Sequence, residues 1–186
     1  MIEKLFTSKV RIKILEYLMF RSKESYLRKI SNELRISPSA VKREIENLNS
    51  IGIVRIKEKR ILLNEKCSFL SDLKNIFIKT DFIAHPLGEA LKDSKVKYAF
   101  IFGSFSKGDY NEQSDVDLMI VGETRVSELY KLLRPVEKAV GREINPVVWT
   151  AENLAKEKNN SFVREIFKKE IIMVRGEENE LRKLVK

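Results

Sequence analysis

The 186-residue sequence contains one cysteine, Cys67, and one histidine, His85. A lone cysteine excludes a disulfide framework and any Cys-rich zinc site, and it fits a reducing cytoplasm. A lone histidine excludes His-cluster metal centres and argues against a Ser-His-Asp triad. No apolar run approaches the roughly 18 residues of a membrane span. The opening stretch MIEKLFTSK carries acid and base where a secretory signal needs an apolar core. Internal repeats and low-complexity segments are also missing. With 43% hydrophobic and 34% charged residues, the chain has the balance of a folded globular protein. The expectation is a cytoplasmic protein with no membrane partner.

What the sequence does have is positive charge, and it is unevenly placed. The net formal charge is +9. Residues 1–65 hold 15 Lys/Arg against 8 Asp/Glu, whereas residues 66–186 hold 21 against 19. An excess confined to one end points to a polyanion as that end's partner.

Beneath the charge lies a regular pattern. Val10, Ile14, Leu15, Leu18 and Met19 recur at helical spacing over about 8–20. A second helix follows from Tyr26 to about Leu34, with Leu27, Ile30 and Leu34 inward. Ser37 can cap a third helix and Pro38 suits its first position, where a missing N–H costs nothing. That helix runs to about Ser50, buries Val41, Ile45 and Leu48, and presents Ser39, Lys42, Arg43, Glu46 and Asn47 outward. After Gly52 the period changes to that of strands. Residues 53–57 and 61–64 read as a hairpin around Glu58, Lys59 and Arg60. Three helices and a basic hairpin over about 5–65 resemble the winged helix-turn-helix fold. The resemblance implies binding of double-stranded DNA, with the third helix in the major groove and the wing along the backbone. Ser39, Lys42, Arg43 and Asn47 would then face bases or phosphates, and Arg55, Lys57, Lys59 and Arg60 the backbone. One such module has a small footprint, so a homodimer on a two-fold site is expected. The same fold also serves purely as a protein-contact module.

Residues 66–94 read as a helical connector. Phe69, Leu70, Leu73, Ile76 and Phe77 form an apolar face on a helix continuing to about Thr80, too greasy for a flexible linker. It is expected to pack or to dimerise. His85-Pro86 interrupts, and a short helix starts at Pro86. His85 reads as structural or solvent-facing, and Cys67 as a small half-buried residue.

The chemistry lies in residues 95–186. An apolar strand, Val96–Phe102, stops at Gly103-Ser104, and after ten intervening residues comes Asp115-Val116-Asp117 at the head of another strand. Alternation sends Asp115 and Asp117 to one side, about 6–7 Å apart, where they suit hard divalent cations. Gly103 lets a triphosphate approach the backbone, and Ser104 offers it a hydroxyl and an N–H. Lys107 adds positive charge. This Gly-Ser, Asp-x-Asp arrangement is similar to the signature of the DNA polymerase beta-type nucleotidyltransferases, and looks closest to the small minimal ones of prokaryotes. The resemblance implies an NTP, Mg²⁺ or Mn²⁺, and in-line transfer of a nucleoside monophosphate to an acceptor. It also implies a toxin-like protein as a possible partner, since small transferases of this type occur beside toxins.

A helix over 127–140, a strand over 144–149 and further short elements complete an expected small mixed sheet with helices over one side. The fold class expected for the whole chain is α+β. The domains are 1–65, winged helix-turn-helix; 66–94, helical connector; and 95–186, nucleotidyltransferase. One position departs from the family. Its third carboxylate would fall on Asn145, which is neutral and a poor base. Glu143 lies two residues earlier and reaches the site only through a register shift or bulge, for which Pro146 offers a reason. The candidate catalytic residues are Asp115, Asp117 and Glu143, with Asp115 and Asp117 as metal ligands. The alternative to an enzyme is a DNA-binding transcriptional regulator whose transferase-like domain binds nucleotide or a partner without turnover.

Overall fold

A computed structural model describes every residue except Met1, Leu5, Glu112 and Lys186, and divides the chain into two compact units, 1–77 and 78–186. Among the described residues, no helix is long and apolar enough to cross a membrane.

In the first unit α1 (Lys9–Phe20) begins at Ser8, whose hydroxyl accepts the Arg11 N–H at 3.2 Å. A short strand β1 (Glu24–Tyr26) precedes α2 (Leu27–Leu34). Then Arg35, in a left-handed conformation (φ 53°), turns the chain toward α3 (Pro38–Ser50). Ser37 caps α3 and Pro38 opens it. The strands β2 (Val54–Lys57) and β3 (Arg60–Leu63) form the hairpin, and β1 adds antiparallel to β3, giving the order β1-β3-β2. Val41, Ile45 and Leu48 of α3 are buried with Ile14, Leu15 and Leu18 of α1.

Four features differ from the sequence expectation. Tyr26 lies in β1, a strand of three residues too short to show a period, and is half exposed. The hairpin turn is Glu58-Lys59 alone, both at positive φ (51° and 67°), which matches the right-handed twist of the strands. Arg60 is therefore the first residue of β3, and its guanidinium is bound to Glu24 at 2.9 Å. On α4 (Leu70–Phe77), Leu70, Leu73 and Phe77 are buried, but Phe69 ahead of it and Ile76 face outward.

A buried charge ties α3 to the start of α1. Glu44 is 3% exposed and accepts hydrogen bonds from the Ser8 hydroxyl (2.8 Å), Arg11 Nε (2.9 Å) and Asn47 Nδ2 (3.5 Å). Burial alone would raise its pKa, but these donors and the Arg11 charge outweigh it and hold the carboxyl below its ordinary value. Glu44→Ala should cost about 2–3 kcal/mol by denaturant unfolding, the scale of lost charged hydrogen bonds. The wild-type contribution is present above the unfolded carboxylate pKa and disappears as pH falls through the lower folded value. Unfolding midpoints that are unchanged at pH 7, or a variant whose pH profile parallels the wild type, would contradict this role.

In the second unit a five-residue turn, Ile78–Phe82, departs from helical geometry at Thr80 and leads to α5 (Ala84–Leu91). The helix begins ahead of His85-Pro86 because proline is tolerated in a first turn, and His85 is exposed. The central sheet has β4 (Val96–Phe102), β5 (Val116–Gly122), β6 (Ile144–Trp149) and β7 (Ile172–Arg175) in the order β6-β5-β4-β7. Only β5 and β6 run parallel. Between β4 and β5 lies the single turn α6 (Ser104–Lys107).

Helices cover both faces of this sheet, where one was expected. Tyr98, Phe100, Met119 and Val121 pack with Leu154 of α8 (Ala151–Lys156), Val163 and Ile166 of α9 (Ser161–Lys168), and Leu181 of α10 (Glu178–Leu184). The alternate residues Ala99, Ile101, Leu118 and Ile120 are fully buried too, facing the side of α5 and α7 (Val126–Val140). Both faces of β4 and β5 are therefore apolar, and no alternation in them could show one-sided cover. On α7, Leu129, Leu133, Val136 and Val140 are buried, but Leu132 is outward and 36% exposed.

Candidate active site

The site forms where β4 ends and β5 and β6 begin. Antiparallel pairing sets Phe102 opposite Asp117, and parallel pairing sets Asp117 opposite Asn145. Asp117 and Asn145 thus share the sheet face of Phe102, with Asp115 just ahead of β5. Asp115 is exposed and Asp117 half-buried. Burial first, and then the neighbouring Asp115 charge, push the Asp117 carboxyl above its ordinary pKa.

Gly103 is required here for two reasons. Its φ is 74° with ψ −141°, a conformation reserved for glycine. A Cβ at this position would also lie 2.2 Å from Asp117 Oδ2. The Ser106 hydroxyl, buried, donates to the Gly103 carbonyl at 3.0 Å and fixes the turn. Beneath it Phe105 and Tyr110 stack with centroids 4.5 Å apart and planes 5° from parallel. Burial pushes the Tyr110 hydroxyl pKa up, against the opposing influence of Arg142. The loop into β5 is tied by the Asn111 N–H to Ser114 Oγ (2.9 Å) and the Gln113 N–H to Asn111 Oδ1 (2.8 Å).

Gly103, Asp115, Asp117 and Asn145 are therefore neighbours. The Asn145 amide Nδ2 donates to Asp115 Oδ2 at 3.3 Å. Glu143 is exposed ahead of β6, and its carbonyl accepts the Val116 N–H at 2.9 Å, in regular register. The bulge or shift that would move Glu143 into line is not seen: Asn145 holds the position opposite Asp117. Ser104 opens α6 and Lys107 ends it, exposed. Ser106 and the buried Arg142, whose Nη1 reaches the Ser114 carbonyl at 3.5 Å, hold the two loops and escaped the sequence reading. The second serine of Gly-Ser-Phe-Ser was the available signal for the first, and nothing in the sequence marks the second as buried.

Two carboxylates offer hard oxygen donors, and Asn145 can add a neutral carbonyl oxygen if its amide turns. A divalent cation would relieve the repulsion that raises the Asp117 pKa, so the donor set fits one. Among the described residues there is no cluster of three His, Cys, Asp or Glu side chains able to hold a metal.

The first-unit residues expected to meet DNA lie on one face of α3 and on the hairpin. Ser39, Lys42, Arg43 and Asn47 are exposed on α3, with Lys42 3.8 Å from Glu46 and Ser39 Oγ 3.3 Å from Ser37 Oγ. Arg55, Lys57 and Lys59 are exposed on the hairpin, whereas Arg60 is engaged with Glu24.

The carboxylate pair thus lies against Gly103 at the end of a mixed sheet. Residues 87–185, more than half the chain, match the family described as nucleotidyltransferase domain, and the chain belongs to that family. Two proteins of Methanocaldococcus jannaschii are similar to it. "Putative protein adenylyltransferase MJ0604" is 35% identical over 39% of this chain and 72% of its own length. "Putative protein adenylyltransferase MJ1379" is 29% identical over 56% of this chain and 97% of its own length. Among solved structures, a toxin-antitoxin complex with AMP-PNP covers 55% of this chain and 81% of its own at 14% identity, with a TM-score of 0.41. A nucleotidyltransferase-like chain of Sulfolobus solfataricus covers 55% and 84% at 18% identity, with a TM-score of 0.33.

Proposed function

We propose that the chain is a nucleotidyltransferase that moves AMP from ATP to a hydroxyl of a protein acceptor. The meeting of Gly103, Asp115 and Asp117 carries this reading, and the family and the names of its relatives support it. Gly103 and Ser104 would hold the triphosphate, with Lys107 adding charge. Asp115 and Asp117 would hold Mg²⁺ or Mn²⁺, which when bound supplies neutralisation of the phosphate oxygens. The acceptor oxygen forms a bond to the α-phosphorus, the bond to the β-phosphate oxygen breaks, and pyrophosphate leaves. The acceptor's proton would leave to solvent, since neutral Asn145 cannot take it and Glu143 stands out of line. Incubation with ATP labelled at the α-phosphate should label the chain itself or an added partner, a toxin-like protein among them. Label from the γ-phosphate in its place would overturn the reading.

The position of Asn145 favours a second reading, a regulator that binds nucleotide without turnover. Both readings use the first unit as a winged helix on duplex DNA, as a homodimer on a two-fold site. The exposed Lys42, Arg43, Lys57 and Lys59 support that use. Contacts of Lys to phosphate release counterions, so binding should weaken steeply with salt. Lys57→Ala with Lys59→Ala should reduce the slope of log K against log salt by about 2 for all sequences. Arg43→Ala should alter sequence preference. Affinity indifferent to salt, or an unchanged slope in the double variant, would contradict DNA binding through the hairpin.

A further inference from the structure

A pocket of about 200 Å³ opens between the end of β4 and α9. Gly103, the residue packed against Asp117, is one of its lining residues, so it borders the candidate phosphate site. Its walls are apolar. Phe102 and Phe162 meet edge to face at 5.9 Å and 84°, with Ile166 beside them. Phe162 also packs on Trp149 at 6.4 Å, yet remains 41% exposed. An exposed aromatic ring held in place by two others is a prepared surface for a flat ring. The rim is charged and mixed. Lys107 lines it, Glu165 is bonded to Lys169, and Glu170 supplies a further carboxylate. Ionised carboxylates only accept hydrogen bonds, and they therefore suit a ring carrying an amino group.

We infer that this pocket receives the adenine base of the nucleotide, stacked on Phe162, and that Glu170 accepts from its exocyclic amine. The inference rests on the proposed binding of ATP at Asp115 and Asp117, and it assigns the base specificity of that site. A pure phosphate-tail pocket would need cations without carboxylates at the rim and no aromatic wall.

The test compares ATP with inosine triphosphate, which has a carbonyl in place of the amine, each with Mg²⁺, by calorimetry on the full chain. The wild type should bind ATP about 10-fold more tightly, as expected when a group built to pair with an amine loses it. Glu170→Ala should bring the two ligands within about threefold by weakening ATP alone. Phe162→Ala should weaken both by about 10-fold, the scale of one lost base stack. Both residues are exposed, so circular dichroism and melting should match the wild type. Equal wild-type affinities for the two ligands, or unchanged ATP binding in Phe162→Ala, would overturn the base pocket. If Asp115→Asn still abolished binding in that event, the nucleotide reading would stand without it. Absence of binding by every nucleotide to the wild type would overturn both.

Discussion

Gly103→Ala is expected to abolish the rise in melting temperature that ATP with Mg²⁺ gives the wild type. A ligand bound to the folded state stabilises it by mass action, so this readout reports the site whether or not it turns over. The added methyl group would sit 2.2 Å from Asp117 Oδ2, far inside contact distance, and the backbone would have to hold φ near 74° with a Cβ present. The strain should lower stability by about 1–3 kcal/mol. The carboxylate can escape only by leaving its place beside Asp115. A displacement of about 1 Å is enough to cost on the order of 100-fold in transfer. The variant Asp117→Ala removes the obstructing oxygen while leaving the backbone demand. Gly103→Ala should therefore cost less stability in that background, by about 1 kcal/mol in a double-mutant cycle. Strictly additive costs would mean that the glycine serves backbone conformation alone and that Asp117 is not held against it.

The same glycine shows how far the sequence could be read. Its place before Ser104, with ten residues between that serine and Asp115, pointed to a close backbone approach by a phosphate. The structure reveals that Asp117 is itself the close neighbour, a contact across β4 and β5 that no local pattern encodes. Strand parity put Asp115 and Asp117 on one side, and the family resemblance marked position 145, which the regular parallel pairing of β5 and β6 sets opposite Asp117. Glu44 was invisible for the opposite reason. On α3 a glutamate between exposed Arg43 and buried Ile45 looks like a solvated charge, and only α1, thirty-odd residues earlier, supplies Ser8 and Arg11 to satisfy it. Arg60 looked like a free basic residue of a turn until β1, too short to be read, brought Glu24 beside it. Local patterns thus placed the elements and the carboxylates. Partners from distant segments decided which charges are available.

Asn145→Asp is the change that separates an enzyme from a sensor. In the wild type the Asn145 amide donates to Asp115, so the neutral side chain lowers the cost of bringing two carboxylates together. An aspartate there removes the donor and places a third negative charge opposite Asp117 and beside Asp115. Without metal this crowding is unfavourable, and the variant should melt lower than the wild type in chelator. Added Mg²⁺ or Mn²⁺ should restore more than the lost stability, because three carboxylate ligands attract a hard cation more strongly than two. If a local shift lets Glu143 serve as the base, the wild type should be active, Glu143→Gln should abolish labelling from ATP, and Asn145→Asp should add little. If Asn145 has cost the site its base, the wild type should be slow. Asn145→Asp should then raise transfer by about 100-fold or more, the scale of a positioned general base, with ATP affinity nearly unchanged. A wild type and an Asn145→Asp variant that both fail to transfer, yet release duplex DNA on binding ATP, would identify a nucleotide-sensing regulator. The retained pair is costly. Asp115 and Asp117 repel each other, burial raises the cost at Asp117, and only a glycine at position 103 leaves room for them. A sensor of ATP would use the same pair for its metal, so labelling of an acceptor by the wild type is the result that decides for transfer.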